Sequence, residues 1–103
     1  MIGNKKIIEE LKQIGFVTRT LYGKKHYIYK EKESFSLHVV FYHNKFICSQ
    51  IAIHKDNIHK WIDVRPEDKE KIIKKALKTM KIVDRLNKLN SKIDREFEVF
   101  DNL

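Results

Sequence analysis

The chain has 103 residues, 42% of them hydrophobic, and a formal net charge of +8 at pH 7. This length suits one domain with a single core, and this apolar content argues against a wholly disordered chain. The chain lacks an apolar run that could cross a bilayer or act as a signal segment, and its single cysteine excludes an intramolecular disulfide, so we predict one cytoplasmic domain over residues 1–103 without a membrane partner.

A short first helix is predicted over residues 5–14. Ile7, Leu11 and Ile14 fall on one face at helical spacing. Gly15 follows as a residue that readily adopts the left-handed conformation in which many helices end. A helix of this length is marginal alone, so we expect its apolar face to pack on the rest of the domain.

A first β-hairpin is predicted around Gly23, with strands over residues 16–22 and 26–32. Leu21 and Ile28 are expected on the inward face of this hairpin. Because its strands are less apolar than those that follow, we expect it near an edge of the sheet. The residues expected on the opposite, polar face, with Tyr22 paired to Tyr27, are Thr18, Thr20, Tyr22, Tyr27 and Tyr29.

Alternating apolar and polar residues over 35–53, interrupted by the polar segment 43–45, predict a second and central β-hairpin. A three-residue turn places Leu37 opposite Ile51, and burial favours this register because it brings the largest side chains together. The opposite face, which includes Cys48, is mixed and is expected to be partly covered or used for binding. The predicted core face consists of Phe35, Leu37, Val39, Phe41, Ile47, Ile51 and Ile53.

Residues 54–64 are predicted to form a connection whose apolar residues cover the edge of the core, and Pro66 then opens a long helix. This helix is expected to pack across the sheet and to leave residues 96–103 as a tail. The prediction is therefore an α+β domain, in which a four-stranded antiparallel meander of two hairpins packs one face on a short N-terminal and a long C-terminal helix. The predicted apolar face of the long helix consists of Ile72, Ile73, Ala76, Leu77, Met80 and Val83.

A second apolar row, here called the apolar seam, follows on the long helix with spacings of four, three and four residues. At about 100° per residue it points more than a quarter turn away from the first apolar face. Its spacing is that of a short coiled coil. Two alternatives stay open: an intramolecular contact with the first helix or with Phe97, Val99 and Phe100, or a homodimer. The apolar seam consists of Ile82, Leu86, Leu89 and Ile93.

Basic residues, here called the lysine row, recur at three- and four-residue steps on the side of this helix opposite its first apolar face. With the net positive charge, the row favours a polyanionic partner, nucleic acid before membrane. Arginine, the better bidentate reader of guanine, is scarce, which favours contacts to the phosphate backbone. The alternative is a merely solvated helix face. The lysine row consists of Lys71, Lys74, Lys75, Lys78, Lys81, Arg85, Lys88 and Lys92.

Three tyrosines on the first hairpin are a candidate surface for stacking unpaired bases, with two lysines nearby for phosphates. Such stacking would favour single-stranded nucleic acid. Tyrosines also occur on strands because they suit a half-buried pleat, which is the structural alternative. The residues of this candidate surface are Tyr22, Lys24, Lys25, Tyr27 and Tyr29.

Nothing in the sequence marks a catalytic, cofactor or metal site. The five histidines lack the directed spacing of a ligand set on one rigid element, and the three glycines are too dispersed for a phosphate-binding loop. Cys48 with His38 is conceivable as a nucleophile pair, and a small nuclease is the enzyme alternative. We interpret the histidines as ordinary surface or interface residues.

The function expected from the sequence is that of a small, basic, non-enzymatic nucleic-acid-binding protein that contacts the backbone and prefers single strands. The alternative is a protein-interaction module, such as a regulator or inhibitor of a larger enzyme. It would bind through its exposed sheet face or through the apolar seam over residues 82–93.

Overall fold

The computed structural model describes residues 4–101, in which two helices pack on one face of a six-stranded antiparallel sheet. The elements are α1 (Asn4–Gln13), β1 (Val17–Leu21), β2 (Lys24–Tyr29), β3 (Ser36–Phe41), β4 (Ser49–Lys55), β5 (Ile58–His59), β6 (Ile62–Val64), a 3₁₀-helix (Pro66–Lys71) and α2 (Ile72–Asp101). The strand order is β1-β2-β3-β4, and both β5 and β6 pair with β4 at the far edge. The predicted α+β class with a short N-terminal and a long C-terminal helix is confirmed, and the sheet has two more strands than predicted.

Helix α1 ends in the way that Gly15 predicts. Gly15 has a φ of 117°, and its amide donates a hydrogen bond to the carbonyl of Lys12 at 3.2 Å. The amide of Phe16 donates to the carbonyl of Leu11 at 3.0 Å, which completes a Schellman motif. The motif turns Phe16 back onto the helix, so that Ile7, Leu11 and Phe16 all join the core.

The turn between β1 and β2 sets a register different from the predicted one. Tyr22 and Gly23 have φ values of 52° and 77°, so both adopt the left-handed conformation of a type I′ hairpin turn. Leu21 therefore pairs with Lys24, and Tyr22 lies at the tip of the turn instead of opposite Tyr27.

The predicted faces of this hairpin are also inverted. Tyr27 is buried and Tyr29 is half-buried against the helices, whereas Ile28 is buried on the other face. The ring centroid of Tyr27 lies 5.6 Å from that of Phe41, and that of Tyr29 lies 5.7 Å from that of Phe16. The helices cover this face, and the large tyrosine rings remove more apolar area from water there than the smaller side chains of the other face would.

The central hairpin has its predicted strand faces but a different register. Leu37 pairs with Ile53 and Phe41 pairs with Ser49, a shift of two residues from the prediction. A shift by two keeps every strand residue on its side of the sheet, because side chains alternate with a period of two. The faces of β3 and β4 were therefore predicted correctly although their pairing was not.

The side chain of Asn44 explains this shift. Its oxygen accepts hydrogen bonds from the amides of Phe46 at 2.9 Å and Ile47 at 2.6 Å. Because these two amides bond to Asn44, they do not form hydrogen bonds between β3 and β4. Residues 43–47 therefore lie outside the paired strands, and Ile47 is not on the predicted core face. Cys48, predicted on the opposite face, joins the core instead.

Residues 54–64, predicted as a connection, form the edge of the sheet. Asp56 has a φ of 55°, and Asp56 and Asn57 make the two-residue turn at which β4 folds back into β5. Asp and Asn tolerate the left-handed conformation, so the chain can reverse here within two residues. His59 consequently pairs with His54.

Helix α2 packs its N-terminal half on the sheet. Ile72, Ala76 and Val83 are fully buried, whereas Leu77, predicted on the same face, is 43% exposed. Farther along, the Asn87 side chain accepts a hydrogen bond from the amide of Phe35 at 2.8 Å and donates one to its carbonyl at 3.0 Å. The helix is thereby fixed to the chain that enters β3.

The C-terminal half of α2 continues beyond Asn90, whose side chain donates a hydrogen bond to the hydroxyl of Ser34. The helix extends to Asp101 and so includes residues 96–101 of the segment that was predicted as a tail. The predicted contact of the apolar seam with Phe97, Val99 and Phe100 lies outside the described side chains. Within residues 4–101, neither helix combines the length and apolar character that a membrane span requires.

Candidate functional site

The lysine row lies on the outer side of α2. At about 100° per residue, six of its members fall within about 40° of one line along the helix, opposite the buried face. All six side chains are exposed. At about 1.5 Å rise per residue, the line is about 27 Å long. Its members are Lys74, Lys78, Lys81, Arg85, Lys88 and Lys92.

The charge of this line is not neutralised by neighbouring acids. Asp84 is the sole acid between residues 72 and 93, and it faces the sheet, where it accepts a hydrogen bond from the hydroxyl of Tyr29. The ion pairs of the described residues leave the six cations unpaired. The other two members of the lysine row are not free cations on this line. Lys71 pairs with Asp68 at 3.4 Å, and Lys75 points about 100° away from the line.

The apolar seam lies on one flank of α2, between this line and the buried face. The exposed fraction is 38% for Ile82, 55% for Leu89 and 43% for Ile93, and Leu86 is half-buried. Helix α1 therefore does not cover the seam. An apolar surface on a projecting helix is a candidate protein contact.

The three tyrosines of the candidate stacking surface do not form one surface with the lysine row. Tyr27 is buried, and Tyr29 lies under the helices with its hydroxyl bonded to Asp84. The predicted exposure of these two rings is wrong, because the hairpin turns them towards the helices. Tyr22 is fully exposed, but it lines a cleft on the face of the sheet that points away from the helices, here called the far face.

The two lysines predicted beside the tyrosines are exposed. The Lys24 ammonium lies 3.3 Å from the hydroxyl of Tyr42 and 4.4 Å from the centroid of its ring. The hydroxyl of Tyr42 in turn donates a hydrogen bond to Gln50 at 2.8 Å. Lys24 is thus attached to the far face, and Lys25 is a free cation near the hairpin turn.

Four of the five histidines meet on the far face, a grouping that we did not expect. His38 stacks on His54 with ring centroids 3.7 Å apart, and His54 stacks on His59 at 4.5 Å. His26 approaches His38 edge-on, with the two Nδ1 atoms 3.1 Å apart. These four side chains are here called the histidine cluster.

Trp61 covers the histidine cluster. Its ring lies edge-on to all four imidazoles, with centroid distances of 5.1 Å to His54 and 5.9 Å to His26. His26 and His38 are consequently only 8% and 7% exposed, although the helices lie on the other side of the sheet.

Burial keeps three members of the cluster, His26, His38 and His54, in their neutral form. Desolvation lowers the pKa of His38 to about 3, and the neighbouring imidazoles His54, His26 and His59 add to this effect. Desolvation likewise lowers the pKa of His54 to about 4, and it lowers the pKa of His26 together with the charge of Lys24. Near pH 7 these rings can accept hydrogen bonds or bind a metal ion, but they cannot act as general acids.

A cleft of about 640 Å³ opens beside the cluster. All four imidazoles line it, and so do three carboxylates. Neutral nitrogen ligands with acids nearby suit a cation better than an anion. The carboxylates are those of Glu31, Glu33 and Asp56.

Two signals in the sequence could have revealed the cluster. If Leu37 and Ile53 face the core, then His38 and His54 must share the other face, since neighbouring residues alternate along a strand. The adjacent Asp56 and Asn57 are typical two-residue turn residues, and such a turn places His59 beside His54. Because we interpreted residues 54–64 as a connection, we did not predict that His59 pairs with His54.

The conceivable nucleophile pair of Cys48 and His38 is not formed. Cys48 is buried in the core, where its Sγ lies 3.4 Å from the carbonyl of Arg65, and burial raises the pKa of its thiol. His38 lies on the far face. Over the described residues, no three His, Cys, Asp or Glu side chains converge as a ready metal-ligand set.

Comparison with known proteins adds no relative. No protein-family model, curated protein or solved structure matches this chain. Its function therefore has to be inferred from the geometry of the lysine row, the apolar seam and the histidine cluster.

Proposed function

We propose that this protein is a non-enzymatic nucleic-acid-binding protein that holds the phosphate backbone along the outer side of α2. One observation carries the proposal: six exposed cations lie on one line of about 27 Å, and the sole acid of that helical segment faces the sheet. A cation that neutralises a phosphate releases a condensed counterion, which favours binding at low salt. A row of such groups along one helix can contact successive phosphates of a polyanion.

The side chains of this line favour backbone contacts over base reading. Five of the six are lysines, whose ammonium groups act as point charges, and Arg85 is the exception. The expected preference for single strands loses most of its support, because Tyr27 and Tyr29 lie beneath the helices. Binding to single and double strands is therefore expected to differ little.

The proposal is tested by measuring fluorescence anisotropy of labelled single- and double-stranded DNA and RNA over a series of salt concentrations. Two variants of equal charge are compared with the parent. The row variant carries Lys78→Gln, Lys81→Gln, Arg85→Gln and Lys88→Gln. The control variant carries Lys12→Gln, Lys32→Gln, Lys45→Gln and Lys60→Gln, all at exposed positions outside α2.

The row variant is expected to bind more weakly and to flatten the slope of log affinity against log salt. The slope should fall by about 0.7–0.9 for each phosphate that the protein no longer neutralises. The control variant should keep most of the parent slope. Equal reductions in the two variants would mean that only net charge matters, and the lysine row would then be a solvated helix face.

A second candidate function, favoured by the exposure of the apolar seam, is protein interaction. Its spacing of four, three and four residues is that of paired helices, so the occupant that we propose is a second copy of this chain. The seam reaches Ile93, which is 43% exposed and lies beyond the hydrogen bond from Asn90 to Ser34, so a partner could reach this end of the seam. A homodimer of this kind would suit a regulatory protein.

A further inference from the structure

The closest polar contact within the histidine cluster joins two ring nitrogens. Nδ1 of His26 lies 3.1 Å from Nδ1 of His38, on the paired strands β2 and β3. In a hydrogen bond between two ring nitrogens, one nitrogen carries a proton and the other accepts it. Two ring nitrogens at this separation could also bind one metal ion, if each ring turns so that its lone pair points at an ion beside the line that joins them.

The distance between these nitrogens fits such an ion. Imidazole nitrogens bind Zn²⁺ at about 2.0–2.1 Å, so a separation of 3.1 Å corresponds to an angle of about 100° at the metal. This angle lies between the right angle of tetragonal Cu²⁺ or Ni²⁺ and the tetrahedral angle of Zn²⁺. We propose that His26 and His38 together bind one divalent transition-metal ion through their Nδ1 atoms, at the wall of the far-face cleft.

The neighbours of His38 prepare it for this role. Its Nε2 lies 3.2 Å from Oγ of Ser36, and an Nε2 proton donated to that hydroxyl leaves Nδ1 with a free lone pair. In the metal-free protein the shared proton then sits on Nδ1 of His26. When the ion binds, this proton moves to Nε2 of the same ring or to solvent, and two nitrogen–metal bonds replace one hydrogen bond.

The surroundings also favour a cation. Glu31, Glu33 and Asp56 line the same cleft. Glu31 pairs with Arg19 at 2.8 Å and Asp56 with Lys55 at 3.5 Å, so the carboxylate of Glu33 contributes most of the negative charge beside the site. Lys24 opposes the site, but its ammonium is held over the ring of Tyr42. Within the described chain no third protein ligand converges on the pair, so the remaining positions belong to water or to a small ligand in the cleft. Because both protein ligands are imidazoles, Cu²⁺ should bind more tightly than Ni²⁺ or Zn²⁺.

The proposal is independent of nucleic-acid binding, because the lysine row lies on α2 and the helices pack on the other face of the sheet. A metal ion here would join β2 to β3 across the far face. It would also stabilise the fold, by an amount that grows with the logarithm of the metal concentration relative to its Kd, since the unfolded chain does not hold the two imidazoles together.

The test uses the whole protein, stripped of metals with a chelator and titrated with Cu²⁺ alone. Trp61 is the single tryptophan, and its ring centroid lies 5.9 Å from that of His26, so its fluorescence should be quenched as the ion binds. We expect quenching to saturate at one equivalent of Cu²⁺, and a large excess of the more weakly bound Zn²⁺ to reverse it by competition. His26→Gln should weaken Cu²⁺ binding at least tenfold, and the matched control His43→Gln, at the exposed fifth histidine, should leave it unchanged.

Because His26 is buried, a second measurement needs no variant. Electron paramagnetic resonance of the parent with one equivalent of Cu²⁺ should show coupling to two imidazole nitrogens, and Zn²⁺ should raise the unfolding temperature of the parent. Equal Cu²⁺ affinity in the parent and a folded His26→Gln variant would overturn the proposal. So would coupling to fewer than two nitrogens in the parent.

Discussion

The hydroxyl of Tyr29 donates a hydrogen bond to the carboxylate of Asp84, at 2.8 Å from Oδ1 and 3.0 Å from Oδ2. This contact joins β2 to α2. Tyr29, which was predicted to be exposed, is thereby held beneath the helix. The same contact turns Asp84, the sole acid between residues 72 and 93, away from the lysine row. The hydrogen bond therefore contributes both to the core and to the uniform positive charge outside.

The first prediction is a loss of stability at high pH that depends on Tyr29. Burial raises the pKa of Tyr29 to about 12 from its ordinary value of 10.0, and the hydrogen bond and the charge of Asp84 add to this. Between these two pH values the unfolded chain releases the phenol proton first, so the unfolded state is favoured as pH rises. After allowance for partial solvent exposure, the loss in the free energy of unfolding is on the order of 1–2 kcal/mol.

The measurement is urea unfolding of the parent and of Tyr29→Phe at pH 9 and pH 11.5. Every other group that titrates in this range is present in both proteins, so the difference between the two pH dependences isolates Tyr29. A difference of zero would show that Tyr29 titrates normally and that its hydrogen bond to Asp84 is not formed in solution.

The second prediction concerns which side of the first hairpin is buried. Tyr27→Ala should lower the free energy of unfolding by about 3 kcal/mol, because the mutation removes a buried ring that packs on Phe41. Tyr22→Ala should change it by less than about 0.5 kcal/mol, because Tyr22 is fully exposed. Equal effects in urea unfolding would support the face assignment predicted from the sequence.

The third prediction concerns the turn between β1 and β2. Tyr22 has a φ of 52°, and the first position of a type I′ turn favours Asn followed by Gly. Tyr22→Asn should therefore stabilise the protein by about 0.5–1 kcal/mol, and the β-branched control Tyr22→Val should destabilise it. The measurement is the midpoint of urea unfolding of each variant, compared with that of the parent. A lower midpoint for Tyr22→Asn would contradict the turn geometry.

The fourth prediction tests self-association through the apolar seam. The parent should sediment as a dimer at high concentration, and Leu89→Glu should give a folded monomer, because it places a charge on the most exposed residue of the seam. Leu77→Glu is the matched control, since Leu77 is 43% exposed on the other flank of α2. A parent that stays monomeric over a wide concentration range in analytical ultracentrifugation would exclude the homodimer.

Features that depend on local periodicity were determined by the sequence itself. The end of α1 at Gly15 follows from the freedom of one residue to adopt a positive φ. The core faces of β3 and β4 follow from alternation, which a register shift by two residues does not disturb. The three sides of α2, namely buried face, apolar seam and lysine row, follow from a turn of about 100° per residue.

Features that join distant segments were decided only by the tertiary structure. The alternation in the first hairpin does not determine which face the helices cover. In the structure the helices pack on the face that carries Tyr27 and Tyr29. The histidine cluster draws its members from β2, β3, β4 and β5, so it exists only once four strands are in register. Asn44 and Asp56 set two of those registers through turn contacts and conformations that a periodic pattern does not report. The physical reason is that periodicity records which residues share a face, whereas pairing between segments depends on turns and on what packs against them.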